Sequence, residues 1–383
     1  MYLLCYVIIS LSVFSLFYIL RKNFNWKIVF GALCVTAVIL IVCILFLNYL
    51  FQESFIAGGY LFQTMKSFER QKEDIQILFS GPSELQFAII PSMFRFKAFN
   101  FSPNAEDMTE SYYKLKYCIN RMPKLKVVVL GTPLSIFSSL WHFYNKNKVF
   151  RRDIFYIYNY MKLKDVWEFG KFEGFWTVVK GEFFHIFPVL FRPNMAFLLE
   201  KWEVLVRYLY PDRVVLDGWS PAFGKGNITK EFARQRVRHH FEGYEVFDKT
   251  FLIYFEKILK LCHNHNIKVI VILCPVTDSY LQFASNYITR DIFYKKILKN
   301  PKYSKYIYKI LDFLDLFAKH HEFFDDVNHL NINGAVVFSE LVADELYDII
   351  DEKDVYRNID FCQFSDFTHL YFMTRNIYLG RQR

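Results

Sequence analysis

The sequence is poor in glycine and proline, with 14 and 11 of them in 383 residues. That scarcity excludes collagen-like, linker-like and other low-complexity architectures. No repeat with a period of roughly 20–50 residues is present, so solenoids and propellers are excluded too. The formal net charge is +9, yet the basic residues are spread along the chain and form no Lys/Arg-rich block, which leaves no argument for a nucleic-acid partner. The seven cysteines show no metal-ligand spacing and predict no metal site. Cys118 and Cys262 fall on apolar helical faces and Cys274 ends an apolar run, so they read as small buried hydrophobes. Against these absences stands an abundance of apolar residues, 53% of the chain, with 44 Phe and 26 Tyr. Such a chain is not disordered and is long enough to bury a large core.

Acidic residues are missing from positions 1–51, where Arg21, Lys22 and Lys27 are the only basic ones. Tyr2–Leu20 and Ile28–Phe51 are apolar runs, each long enough to cross about 30 Å of hydrocarbon as a helix. The positive-inside rule places the charged segment between them in the cytoplasm. The reading is a transmembrane hairpin over 1–51, with a single span and a cleaved or peripheral first run as the alternative. Either way the rest of the chain lies outside the cytoplasm. Residues 52–73 then read as a helical connector.

From residue 74 to 350 short apolar runs alternate with helical periodicity. Ile75–Ser80, Ala98–Phe101, Lys126–Leu130 and Lys268–Cys274 read as buried strands, each closed by Gly, Pro or Ser-Pro. Glu106–Arg121, Glu245–His265 and Tyr303–His321 read as helices. A last strand is expected at Glu322–Asp325 and a last helix from Asn333 to about Ile350. Strand and helix in alternation, with fully apolar strands, predict an α/β fold: a doubly wound parallel sheet in three layers. Residues 132–244 read as a helical, aromatic-rich insertion, and 351–383 as a tail.

In such sheets sites form outside the carboxyl ends of the strands. Ser83 follows the first strand and opens a helix, where its hydroxyl is presented on a tight turn beside free helix N–H groups. Asp326 and His329 lie three residues apart after the last strand. That spacing lets the carboxylate accept from one imidazole nitrogen while the other faces a nucleophile, the requirement for activating serine. Asp366 and His369 repeat the spacing in the tail, but no buried strand precedes them. Arg238 and His239, in a basic cluster with Arg234, Arg236 and His240, are candidate substrate-binding residues. Gly131 and Asn104, each after a strand, are candidate oxyanion donors.

These pieces resemble the SGNH/GDSL-type hydrolases. Ile77-Leu78-Phe79-Ser80-Gly81-Pro82-Ser83 matches the strand ending in Gly-x-Ser, and Asp326-Val327-Asn328-His329 matches Asp-x-x-His. His329-Leu330-Asn331, Gly334-Ala335 and Phe338-Ser339 resemble the membrane-anchored cell-envelope members, the DltD-like proteins of teichoic-acid D-alanylation and the AlgJ/AlgX-like proteins of alginate acetylation. Two positions depart from the pattern: Pro82 stands where Asp is frequent, and Gly131-Thr132-Pro133 lacks the Asn of the Gly-x-Asn-Asp block. The resemblance implies a flavodoxin-like SGNH fold, an extracytoplasmic domain on the bacterial cytoplasmic membrane, and no cofactor. It implies acyl transfer or ester hydrolysis on a cell-envelope polysaccharide through acyl-Ser83, beside a membrane-bound O-acyltransferase. The alternative of another class is a catalytically inert SGNH-fold partner or glycan-binding protein of such a system.

Overall fold

The computed structural model describes residues 26–51, 60–103, 106–141, 165, 216–220, 222 and 228–350. Five strands form one parallel sheet: β1 Ile77–Ser80, β2 Ala98–Asn100, β3 Val127–Gly131, β4 Lys268–Leu273 and β5 Ile307–Asp312. Their order is β2-β1-β3-β4-β5. The order turns back between β1 and β3, and there the carboxyl ends of neighbouring strands send their connections to opposite faces, leaving a crevice.

Alternation along the strands divides the core in two. Leu78, Val128, Leu130, Val269 and Val271 face a layer containing Tyr113, Tyr254 and Phe255, carried by helices α4 Met108–Ile119 and α6 Lys249–Asn264. Ile77, Phe79, Val127, Val129, Ile270 and Ile272 face the other layer, with Leu85, Val337, Phe338 and Leu341, from helices α3 Ser83–Ala88 and α8 Ile332–Tyr347. Burial on both faces is why β1, β3 and β4 are mostly apolar runs.

One strand and one helix differ from the sequence reading. The segment expected as helix Tyr303–His321 contains strand β5, and the strand expected at Glu322–Asp325 is a 3₁₀ turn, His321–Phe323, followed by a single antiparallel bridge between Phe324 and Leu330. The reason is position. β5 is an edge strand with Tyr308 exposed and Lys309 half-buried, and Ile307, Ile310 and Leu314 happen to fall at helical spacing. Pairing with the buried ladder of β4 overrides that local pattern.

The other edge is covered. Helix α2, Tyr60–Gln71, docks Phe68 against Phe99 and Phe101. The turn at Asp217-Gly218 then lies along β2, with Asn100 N–H donating to Asp217 C=O at 2.9 Å. A side chain at Gly218 would sit 1.7 Å from the Asn100 carbonyl oxygen, so only glycine lets the two backbones approach. Asp217 also accepts from Gln71 and Lys97, so an exposed ladder edge is closed off.

Helix α1, Trp26–Phe51, is 26 residues long, about 39 Å at 1.5 Å per residue. Phe30, Leu33, Val38, Ile41 and Phe46 are exposed along it. Its side chains are described without a break only over positions 30–46, and among the described residues no helix is long and apolar enough to cross a membrane. The first apolar run, most of the 132–244 insertion and the whole 351–383 tail with Asp366 and His369 lie outside the described residues. The described ends of the insertion belong to the main core: Leu134, Phe137, Ala233, Val237 and Phe241 are buried in it.

Lys114, on α4, is fully buried with Glu106. Its ammonium also donates to the Phe101 carbonyl, and Glu106 accepts from Ser80 and Ser111. Burial pulls the Lys114 pKa down despite the charge of Glu106. Lys114→Ala strands a buried carboxylate and should destabilise the domain by about 3–5 kcal/mol, whereas Lys114→Met combined with Glu106→Leu should cost much less. Chemical denaturation of the purified variants measures both.

Candidate functional site

The site is built from the first and last pieces of the sheet. β1 ends in Gly81-Pro82, and a Cβ on Gly81 would lie 3.0 Å from the Gly131 Cα. The two glycines let β1 and β3 converge, and the chain turns straight into α3. Ser83 is the first residue of that helix, so its own N–H and that of Glu84 have no carbonyl one turn behind them. The helix is tied down at its other end. Asn100 Nδ2 donates to the carbonyls of Leu85 and Ile89 at 3.0 Å and of Gln86 at 3.3 Å. Ser339 of α8 accepts from Ile90 N–H and donates to the Ala88 carbonyl. A six-residue helix is thus clamped between β2 and α8, which fixes the serine it carries.

The second piece is the loop between the 3₁₀ turn and α8. Asn331 caps α8 by accepting from Gly334 N–H, and its amide donates to the carbonyls of Glu322 and Phe324. Inside this loop Asp326 Oδ1 accepts from the backbone N–H groups of Asn328 and His329, both at 3.0 Å. Thr277, after β4, holds the loop from below through its N–H and hydroxyl, both donating to the Val327 carbonyl.

The structure brings Ser83, His329 and Asp326 into one hydrogen-bonded line. Ser83 Oγ lies 2.8 Å from His329 Nε2. His329 Nδ1 lies 2.9 and 3.0 Å from the two Asp326 carboxylate oxygens. With Asp326 an acceptor only, Nδ1–H donates and Nε2 accepts from the serine hydroxyl. Phe87 packs against the imidazole at 5.2 Å, nearly edge to face, and Trp219 Nε1 donates to the Phe87 carbonyl.

The electrostatics follow from these contacts. Burial opposes a charged imidazole, but the hydrogen bond and charge of Asp326, joined by Glu84, outweigh it, and His329 titrates above an ordinary histidine. Burial also opposes ionised Asp326; the hydrogen bond and charge of His329, the Arg236 guanidinium and the Asn328 N–H hold it far below the usual carboxylate range. His240 is the opposite case: burial, with Arg236 and His239 beside it, pushes it down to about 3, and its Nδ1 is bonded to Tyr280 OH at 2.7 Å. The buried thiols are no rival nucleophiles, since burial pushes them up, Cys262 to about 12. Among the described residues no group of His, Cys, Asp and Glu is arranged to hold a metal.

Other expected residues fall differently. Arg238 makes a bidentate ion pair with Glu242, at 2.7 and 3.0 Å, with both side chains more than half exposed. Its neighbour Arg236 reaches the site instead and contacts Asp326 Oδ2 at 2.9 Å. His239 lies next to His240 on the same helix, their ring centroids 6.1 Å apart. Helix α5, Lys230–Phe241, buries Ala233, Val237, His240 and Phe241, and this stripe puts Arg236 at its edge. Gly131 makes room for the turn below Ser83, and Asn104 lies outside the described residues. Glu84 and Asn328, which sequence reasoning passed over, are both buried at the site.

Comparison with known proteins bears on the C-terminal half. Residues 244–344 match the family model described as DltD protein. The match covers about a quarter of the chain. It includes β4, β5, Asp326 and His329 and stops short of Ser83. No curated protein matches the chain.

The geometry predicts the titration of the two buried histidines. In the folded chain, the His329 imidazole should titrate above about 6.5 and fall on Asp326→Asn. His240 should stay neutral down to about pH 3. NMR of histidine-labelled protein measures both.

Proposed function

We propose that the chain is a membrane-anchored serine acyltransferase or esterase of the DltD-like kind, acting on a cell-envelope polysaccharide outside the cytoplasm. The observation that carries the chemistry is the line from Ser83 through His329 to Asp326 at the strand ends. The match over residues 244–344 supports the DltD-like branch over the alginate branch. The apolar, acid-free sequence of residues 1–51 supports the anchor.

In this reading Ser83 Oγ attacks the carbonyl carbon of an acyl donor while its proton passes to His329 Nε2. Asp326 holds the imidazole in the required tautomer and stabilises the imidazolium, staying ionised itself. The oxyanion forms beside the N–H groups that open α3. Collapse breaks the bond to the leaving group, which takes the proton from His329, and leaves an ester on Ser83. A hydroxyl of the polymer, or water, then attacks that ester and gives its proton to His329. Release of Ser83 Oγ returns the proton and regenerates the site. Transfer and hydrolysis differ only in which hydroxyl attacks, and a membrane-bound O-acyltransferase is the partner we expect to supply acyl groups.

A fluorophosphonate serine probe tests the reading. Wild-type protein should be labelled and Ser83→Ala should not. His329→Ala should lose nearly all reactivity, and Ser83→Ala with His329→Ala should be no worse than either alone, because the two act as a unit. Folded wild-type protein that resists the probe would place the chain with inert binding partners instead. For the topology, a reporter active only in the cytoplasm, fused after residue 60, should stay silent; a strong signal contradicts the anchor.

A further inference from the structure

Glu84 is the residue next to the nucleophile, and its side chain is buried, 7% exposed. A buried carboxylate is costly unless something holds it. Here Asn328 Nδ2 donates to Glu84 Oε1 at 3.0 Å. Asn328 is itself part of the loop that carries Asp326 and His329, and its N–H donates to Asp326 Oδ1. Asn328 therefore joins, through its side chain and its backbone N–H, the carboxylate beside Ser83 to the carboxylate behind His329. The two partners are 244 residues apart in the chain.

The charges around His329 come from several elements. Asp326 is on its own loop, Glu84 comes from α3, and Arg236 and His240 come from α5. The helix that follows β4, α7 Asp278–Ala284, adds Tyr280. Arg236 opposes a positive imidazole, and His240 and Tyr280 are both held neutral by burial. Glu84 thus acts on the imidazole as an acidic group together with Asp326, and Asp325 lies on the same loop, its N–H donating to the His329 carbonyl at 2.9 Å.

We infer that Glu84 is a positioning residue for the acyl chemistry: through Asn328 it fixes the 326–329 loop against Ser83, and its charge offsets Arg236 so that the imidazole accepts the serine proton. The inference rests on the serine acyl reading for its chemical meaning and on the Glu84–Asn328 contact for its structural one. Neutralising Glu84 leaves Arg236 uncompensated and makes His329 a weaker base.

The test uses the full chain with labelled histidine, the His329 signal being assigned by its loss in His329→Gln. In Glu84→Gln, which keeps an acceptor for Asn328, the His329 midpoint should fall by about one unit. In Glu84→Asp, which keeps the charge, it should stay above that of an ordinary histidine. The second readout is the pH profile of fluorophosphonate reaction at Ser83. In Glu84→Gln the acid limb should move to lower pH and the plateau rate should drop, a change that a packing defect alone would not produce. An unchanged His329 midpoint in folded Glu84→Gln, or an ordinary midpoint in Glu84→Asp, overturns the inference. If the midpoints move as expected while wild-type protein resists the probe, the hold of Glu84 on the loop and the imidazole stands and the serine acyl reading, with the role of Glu84 in it, falls.

Discussion

The imidazole of His329 is the contact on which the arrangement depends. It bonds to a serine 246 positions earlier in the chain, so it forms only if the first and last segments of the sheet are placed correctly. The turn after β1 supplies the serine, and the loop leading into α8 supplies the imidazole. Each is fixed by side chains that satisfy backbone groups: Asn100 and Ser339 around the end of α3, Asn331 and Thr277 around the loop. These bonds are individually worth about 1 kcal/mol. Their effect is to leave the two reacting groups little freedom before any substrate arrives, which is where positioning lowers a barrier.

The surrounding charges show how a buried histidine is kept protonatable. Desolvation favours a neutral imidazole, as it does, with Arg236 and His239 beside it, for His240 one helix away. His329 escapes that fate because Asp326 accepts its N–H and Glu84 adds negative charge, while Arg236 limits how far the balance swings. The two histidines share one helix–loop crevice and the same burial, and they differ in their partners. A base must be neutral to accept a proton and stable once it has done so, and a carboxylate at Nδ1 meets both requirements.

Much of this was legible in the sequence, for a physical reason. Strands β1, β3 and β4 are buried on both faces, so each is a short, mostly apolar run closed by Gly or Pro, and their ends mark where to look for chemistry. Ser83 was found that way, whereas Asp326 and His329 stood out by their three-residue spacing, after a segment expected as a strand that is a 3₁₀ turn. β5 was missed because an edge strand keeps polar residues, and Ile307, Ile310 and Leu314 imitate a helical stripe. Arg236 was visible as part of a basic cluster, but which member turns inward depends on how α5 is rotated against α7, and spacing alone favoured Arg238 no less. Glu84 sits beside Ser83 in the sequence; its meaning depends on Asn328, which only the folded loop brings to it.

Direct detection of the intermediate tests the central claim. The full chain is reacted with p-nitrophenyl acetate, quenched in acid, and the peptides are mapped by mass spectrometry. The account predicts an acetyl group on the peptide carrying Ser83, absent in Ser83→Ala and nearly lost in His329→Ala. Folded wild-type protein that accumulates the acetyl group on another residue, with the Ser83 peptide unmodified, would contradict it.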